Sequence, residues 1–218
     1  MRLIGLLGGT FNPIHFGHLR MAQEIADALE LHEVRFIPAA NPPHKNLPIV
    51  SAAVRSEMVQ LAISDNPLFK LDTRELNRTG ISYTIDTLIS LRSEINAKHD
   101  DGAALCLLMG TDAFVKFNTW HRWKEILSYC HIILVQRPTT SENQPPLAGD
   151  LAQLLQNHYT ENISDLSSQN AGFIHMQNIT ALSISSTAIR SAFKVKQIPY
   201  YLMPEIVISY IIANRLYD

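Results

Sequence analysis

The chain is poor in cysteine and has no long apolar run. Its 218 residues include two cysteines, Cys106 within "ALCLLMG" and Cys130 just before "HIILVQ". Neither a C-x-x-C pair nor a Cys/His zinc spacing accompanies them, which excludes a disulfide framework and a zinc module. Both read as small buried residues of a reduced protein, and the expected compartment is the cytoplasm. No apolar stretch approaches the ~18 residues of a membrane span. The N-terminal "MRLIGLLGG" is too short for the apolar region of a signal peptide and lacks a cleavage site. Charge of neither sign dominates. The net charge of -2, with 17% charged residues, gives no footprint for nucleic acid or a membrane surface. Internal repeats and low-complexity blocks are missing too. What is present is 46% hydrophobic, enough for one domain over residues 1–218 to bury a core.

Short apolar runs of strand type alternate with segments of helical period. "RLIGLLG", "VRFIPA", "LFKLD", "ALCLLMG", "HIILVQ" and "FIHMQ" read as strands. Helices are expected over residues 17–31, from Ser51 onward, in "YTIDTLISLRSEI" and in "WHRWKEIL". Residues 138–150, "PTTSENQPPLAGD", are rich in turn formers and read as a surface loop. Residues 184–218 form a C-terminal helical part, "STAIRSAF" and then "PEIVISYIIANRL", with Pro204 at a first-turn position. The alternation predicts an α/β fold: a Rossmann-like, doubly wound parallel sheet with C-terminal helices.

The stretch "LLGGTFNPIHFGHL" concentrates the chemistry. Ligands of an open parallel sheet bind beyond the carboxyl ends of the strands. Gly8 and Gly9 end the first strand, where a missing Cβ lets backbone N–H groups approach a ligand. Gly17 opens a helix whose N-terminus carries orphan N–H groups and a positive dipole end. That combination is a phosphate cradle. His15 and His18, three apart, can face one anion, with Gly17 leaving room for it. For either histidine alone a turn cap or a surface helix position is the plainer use.

"GGTFNPIHFGHL" resembles the signature of the HxGH nucleotidyltransferase superfamily and, more narrowly, of bacterial nicotinate-nucleotide adenylyltransferases. The similarity continues through "NPPHK", "RELNRTGISYTIDTL", "LLMGTDAFVKFNTWHRWKEIL" and "ISSTAIR". The resemblance implies AMP transfer from ATP to nicotinate mononucleotide, giving deamido-NAD and pyrophosphate with a magnesium ion. It implies that Gly8, Gly9, Thr10 and Phe11 line the nucleotide while His15 and His18 contact the phosphates. Gly110 and Asp112 would meet the adenosine ribose, and Ser185, Ser186, Thr187 and Arg190 would complete the triphosphate site. Asn41, His44, Lys45, Tyr83, Thr84, Trp120 and the backbone at His121 would hold the nicotinate nucleotide. Relatives often carry tyrosine where this chain has His121, so only a backbone role carries over there.

The chemistry suits these residues. The nucleophile is a phosphate monoester with a second pKa of about 6, so it needs no general base. The histidines are then donors to oxygens that gain charge in the transition state, in a reaction ruled by positioning and electrostatics. Magnesium would sit on the β- and γ-phosphates and keep several waters, needing few protein ligands; no protein metal site is expected. "SISSTAIR" offers a second helix start, one hydroxyl capping it and others free for phosphate, with Arg190 on the same face. Asp112 fits a ribose ligand or a helix cap. His44 and Lys45 lie in a proline-stiffened loop, as ligands or as solvated charges. Of two tryptophans three apart, Trp123 is expected to pack and Trp120 to stack on a flat ring.

Two other readings compete. One is an adenylyl- or cytidylyltransferase with another phosphorylated acceptor, the other a non-catalytic nucleotide sensor on the same scaffold. A HIGH-class aminoacyl-tRNA synthetase shares the phosphate motif, but 218 residues at net charge -2 leave little for tRNA binding. The expected partners are ATP and nicotinate mononucleotide, with no nucleic acid and no membrane, as a monomer or a homodimer.

Overall fold

A computed structural model of the chain describes residues 1–42, 48–97, 102–136, 147, 149–180 and 182–218. The first apolar run forms β1 (Arg2–Gly9), and α1 (Phe16–Ala28) follows it. Then come β2 (Glu33–Pro38), α2 (Ala52–Ile63), β3 (Phe69–Leu71) and α3 (Thr84–Ala97). β4 (Ala103–Gly110) leads through the single-turn α4 (Thr111–Phe114) and two 3-10 segments, Phe117–Thr119 and Trp123–Ser128, to β5 (His131–Gln136). The chain continues as α5 (Asp150–His158), α6 (Ile163–Ser168), β6 (Ile174–Asn178), α7 (Ser186–Lys194) and α8 (Glu205–Ala213).

The strands form one six-stranded sheet in the order β3-β2-β1-β4-β5-β6, the order of doubly wound nucleotide-binding sheets. β1 with β4, β4 with β5 and β5 with β6 pair in parallel. The expected Rossmann-like fold is what the chain adopts. Among the described residues no helix is long and apolar enough to cross a membrane.

The chain divides into two compact units, each of three stretches. One comprises Met1–Leu7, Glu24–Val34 and Tyr83–Ala181, the other Gly8–Gln23, Arg35–Ser82 and Leu182–Asp218. In the first, β4 is buried along Ala103–Met109, which is why "ALCLLM" reads as a continuous apolar run rather than an alternating one. Cys106 and Cys130 lie buried there as free thiols. Burial pushes the Cys106 pKa up to about 12 and raises that of Cys130 as well, so both stay protonated and inert. Arg92 of α3 donates to the carbonyls of Tyr129 at 2.8 Å, Ala103 at 2.9 Å and Asn170. In the second unit Phe36 of β2 packs on Phe69 of β3, ring centres 5.0 Å apart.

His131 opens β5 fully buried. Its Nδ1 accepts from the Phe173 amide at 3.1 Å, and its Nε2 donates to the Gln169 carbonyl at 3.0 Å, which fixes a neutral ring. Burial, seconded by the Arg92 charge, holds its pKa below the ordinary value, against the pull of the Gln169 carbonyl. The unfolded chain therefore takes up a proton near pH 6.5 that the folded chain refuses. The stability involved is complete above that pH and is lost as pH falls toward the depressed native pKa. His131→Gln is expected to flatten the loss of melting temperature between pH 7.5 and 5.5 relative to wild type. Parallel slopes for the two proteins would contradict this.

Several local expectations change. "WHRWKEIL" was expected as helix, but Arg122 takes a left-handed backbone (φ 51) and only a 3-10 segment follows. From there Arg122 reaches Glu125, Nε to Oε1 at 2.8 Å. Pro204 occupies the N-cap of α8 rather than its first turn. Two helices, α5 and α6, stand where no helix was anticipated, and Asn162 caps α6 through the Ser164 amide. Of the expected surface loop, residues 138–146 and 148 lie outside the described residues, as do His44 and Lys45.

Candidate active site

β1 ends in Gly8–Gly9, and the chain turns through Thr10, Phe11, Asn12 and Pro13 before α1. Phe11, only 2% exposed, adopts φ 45 and tucks its ring under Gly9. A Cβ on Gly9 would stand 2.9 Å from that ring, so any larger residue there would displace the buried Phe11 side chain. Phe11 also meets His18 edge-on at 5.2 Å and Phe36 at 6.0 Å. The turn is thus packed from below by aromatic rings.

The two histidines stack, ring centres 3.8 Å apart at 29°. His15 is 5% exposed and His18 half-buried. The His15 amide donates to His18 Nδ1 at 3.3 Å, which places the proton of the neutral His18 ring on Nε2. Gly17 has a different job from the one expected. The His15 ring occupies the space beside it, within 3.0 Å of where a Cβ would stand. Three of the first α1 amides are also committed: Phe16 to the Leu202 carbonyl at 3.0 Å, His18 and Leu19 to that of His15 at 2.9 and 3.3 Å. The side-chain donors an anion would meet here are imidazoles and a guanidinium.

The guanidinium belongs to Arg190 in α7, which donates to the Asn12 carbonyl at 2.8 Å and to Thr187 Oγ1 at 3.2 Å. Ser185 is the cap, its Oγ accepting from the Ala188 amide at 3.2 Å. Ser186 Oγ donates to the Pro13 carbonyl at 2.8 Å. The start of α7 is therefore strapped to the Asn12–Pro13 turn, with Ser185 and Thr187 exposed and Arg190 half-buried. Asn41 is tied through its amide to Ser82 Oγ at 3.1 Å, and its carbonyl accepts from the Ser82 amide at 2.9 Å.

The other expected residues belong to the first unit. Gly110 ends β4 and is the N-cap of α4, so the exposed Asp112 inside that helix is not its cap. Tyr83 stacks on His121, ring centres 4.3 Å apart at 28°, and Thr84 begins α3. His121 was expected to act through its backbone alone, yet its ring is half of an aromatic pair. Trp120 and Trp123 both meet Phe117 edge-on, at 5.6 and 5.8 Å. Both are half-buried, and Lys124 Nζ lies over the Trp123 ring at 5.4 Å. The Trp123 ring is therefore engaged by a cation, which favours Trp120 as the stacking surface. Among the described residues no group of three or more His, Cys, Asp or Glu side chains could hold a metal ion.

The sequence model of the cytidylyltransferase-like family matches residues 6–192. Two curated relatives, each called "Probable nicotinate-nucleotide adenylyltransferase", match end to end. That of Hydrogenovibrio crunogenus is 47% identical over 218 residues, 100% of this chain and 98% of its own. That of Aeromonas salmonicida is 43% identical over 215 residues, 99% and 97% of the two chains. The chain belongs to the nicotinate-nucleotide adenylyltransferase family. Among solved structures, the Plasmodium falciparum nicotinic acid mononucleotide adenylyltransferase complexed with NaAD is similar, with TM-score 0.70 and 18% identity over 100% of this chain and 98% of that one. At that identity the likeness is one of fold. As a nicotinate-nucleotide adenylyltransferase family member the chain is a nucleotidyltransferase, an enzyme class that generally uses a divalent metal with its nucleotide.

Sequence reading missed Asn12 and Ser82, which tie the β1–α1 turn to Arg190 and hold Asn41. The Asn-Pro turn signal pointed at Asn12; no pattern marks Ser82.

Arg190→Lys tests the guanidinium. A point ammonium cannot replace a planar fork that holds both a carbonyl and a hydroxyl. ATP use is expected to weaken while the melting temperature changes little. A collapsed melting temperature with ATP affinity intact in the folded fraction would make Arg190 structural.

Proposed function

We propose that this chain transfers the AMP moiety of ATP to nicotinate mononucleotide, as a cytoplasmic enzyme of NAD biosynthesis acting as one domain over residues 1–218. A phosphate oxygen of nicotinate mononucleotide attacks the α-phosphorus of ATP in line. The bond from that phosphorus to the bridging oxygen breaks, pyrophosphate leaves and deamido-NAD remains. The nucleophile is already mostly dianionic at neutral pH, so no residue has to remove a proton.

The observation that carries this reading is the stacked His15–His18 pair beside the Gly8–Phe11 turn, with Arg190 strapped to the same turn. His18 Nε2–H, His15 and Arg190 are fixed donors for oxygens whose charge grows as the bridging bond breaks. Being set by stacking and backbone bonds, they need no reorganisation at the moment of reaction. Gly8, Gly9, Thr10 and Phe11 line the nucleotide, Ser185, Ser186 and Thr187 flank its phosphates, and Gly110 and Asp112 take the ribose. Asn41, His44, Lys45, Tyr83, Thr84, Trp120 and His121 take the nicotinate nucleotide. The donors at the turn are neutral or cationic, which fits a magnesium ion carried on the β- and γ-phosphates and their waters. When bound it neutralises the leaving pyrophosphate.

The second reading is a related transferase with a different phosphorylated acceptor, since the matched family model is described only as cytidylyltransferase-like. Pyrophosphate release from ATP across a panel of phosphorylated acceptors separates the two. Release dependent on nicotinate mononucleotide supports the proposal, and release with another acceptor supports the second reading. ATP binding without any release would leave a nucleotide sensor.

A further inference from the structure

Two residues outside the groups assigned to substrate hold the turn between β1 and α1 from its buried side. Arg55 of α2 has no exposed surface. Its guanidinium donates to three backbone carbonyls: Nη1 to Thr10, Nη2 to Ala39 at 2.7 Å and Nε to Val50 at 3.3 Å. Tyr217, in the chain beyond α8, is 7% exposed and donates its hydroxyl to Asn12 Oδ1 at 2.6 Å. Burial keeps this phenol neutral and therefore a donor, although the Arg190 and Arg55 charges pull the other way.

Covalent geometry converts these bonds into an orientation. In a trans peptide the C=O and the following N–H point in opposite directions. Arg55 draws the Thr10 carbonyl inward, so the Phe11 N–H must face the opposite side of the turn. Tyr217 takes the Oδ1 of Asn12, so that carboxamide turns its NH₂ away from the tyrosine. Arg190 fixes the intervening Asn12 carbonyl at 2.8 Å. The turn thus has the Thr10 carbonyl and Asn12 Oδ1 pinned on its buried side, and two donors turned away from Arg55 and Tyr217.

We propose that Arg55 and Tyr217 are positioning residues that hold the Thr10–Asn12 turn with the Phe11 N–H and the Asn12 carboxamide NH₂ presented to the ATP phosphates. This rests on the adenylyl-transfer reading. Neither residue touches the nucleotide. Each acts through a group of the turn, and the bond to Ala39 ties that turn to the chain leaving β2.

The test is ATP affinity, by calorimetry without acceptor, on the full-length protein. Tyr217→Phe removes one oxygen and is expected to weaken ATP binding about fivefold, as losing one orienting hydrogen bond does. If Tyr217 acts through Asn12, the same change in an Asn12→Ala background costs nothing further. Arg55→Lys keeps the charge but not the fork, and is expected to weaken ATP binding about tenfold. Arg92→Lys is the control, because Arg92 binds carbonyls in the same manner away from this turn. It should lower the melting temperature and leave ATP affinity unchanged. Unchanged ATP affinity in both Tyr217→Phe and Arg55→Lys overturns the proposal, as does an additive loss in the Asn12→Ala background. Should Arg55→Lys not fold, the Tyr217–Asn12 cycle still decides. Failure of the wild-type protein to bind ATP would overturn the adenylyl-transfer reading itself, a separate outcome.

Discussion

His18→Ala is expected to lower turnover by roughly 10²-fold or more, the usual cost of deleting one preorganised transition-state donor. The fold should survive, because His18 is half-buried rather than a core residue, and the bond its ring accepts from the His15 amide is long at 3.3 Å. His15→Ala should cost a similar factor in rate and somewhat more stability. His15 is 5% exposed and fills the space that Gly17 leaves open. The stack also makes the pair interdependent: with ring centres 3.8 Å apart, removing either ring frees the other to move. The double variant is therefore expected to lose far less than the product of the two single losses. A folded His18→Ala protein with wild-type turnover would remove the pair from the mechanism.

The second large effect is the choice of nicotinate over nicotinamide mononucleotide. The two differ by a carboxylate against a carboxamide, so the site must offer donors to a charged partner that only accepts. Thr84 begins α3, where a hydroxyl and first-turn amides share the positive end of the helix. The backbone at His121 can add a donor, and Trp120 a face for the pyridine ring. Against the carboxamide, an NH₂ would confront those donors and leave them unpaired, at about 1–3 kcal/mol for each buried group. Two such donors give a preference of roughly 10²-fold, at about 1.4 kcal/mol per tenfold. Trp120→Ala is expected to weaken both nucleotides alike, whereas Thr84→Ala mainly erodes the preference for the acid. The readout is the ratio of kcat/KM for the two mononucleotides in wild type and both variants. A wild-type ratio near one would leave no role for these donors.

Much of this was legible in the sequence because it depends on local pattern. The unbroken apolar run of β4 reads as a strand buried on both faces, and the helix expected from Ser51 onward begins there, as does the one expected in "SISSTAIR", where Ser185 proves to be the capping hydroxyl. The Gly-Gly turn and its histidines are contiguous, so their grouping needed no tertiary information. What stayed hidden depends on long-range closure. An arginine in a helix reads as a solvated charge, yet Arg55 is fully buried because carbonyls from three separate stretches converge on it. Tyr217 meets Asn12 across 205 positions, a pairing no local period encodes. Gly17 was assigned to a ligand and serves the His15 ring instead, since spacing shows a gap but not what fills it. The 3-10 segment after Arg122 likewise follows from one left-handed residue that helical periodicity does not register.

The central claim is that this chain joins AMP to nicotinate mononucleotide. Its most direct test is to incubate the purified protein with ATP, magnesium and nicotinate mononucleotide and quantify both products by chromatography and mass. The account predicts deamido-NAD and pyrophosphate in equal amounts, with formation of the nicotinamide product slower by roughly 10²-fold. Pyrophosphate without deamido-NAD, or no turnover from a protein that binds ATP, would contradict it.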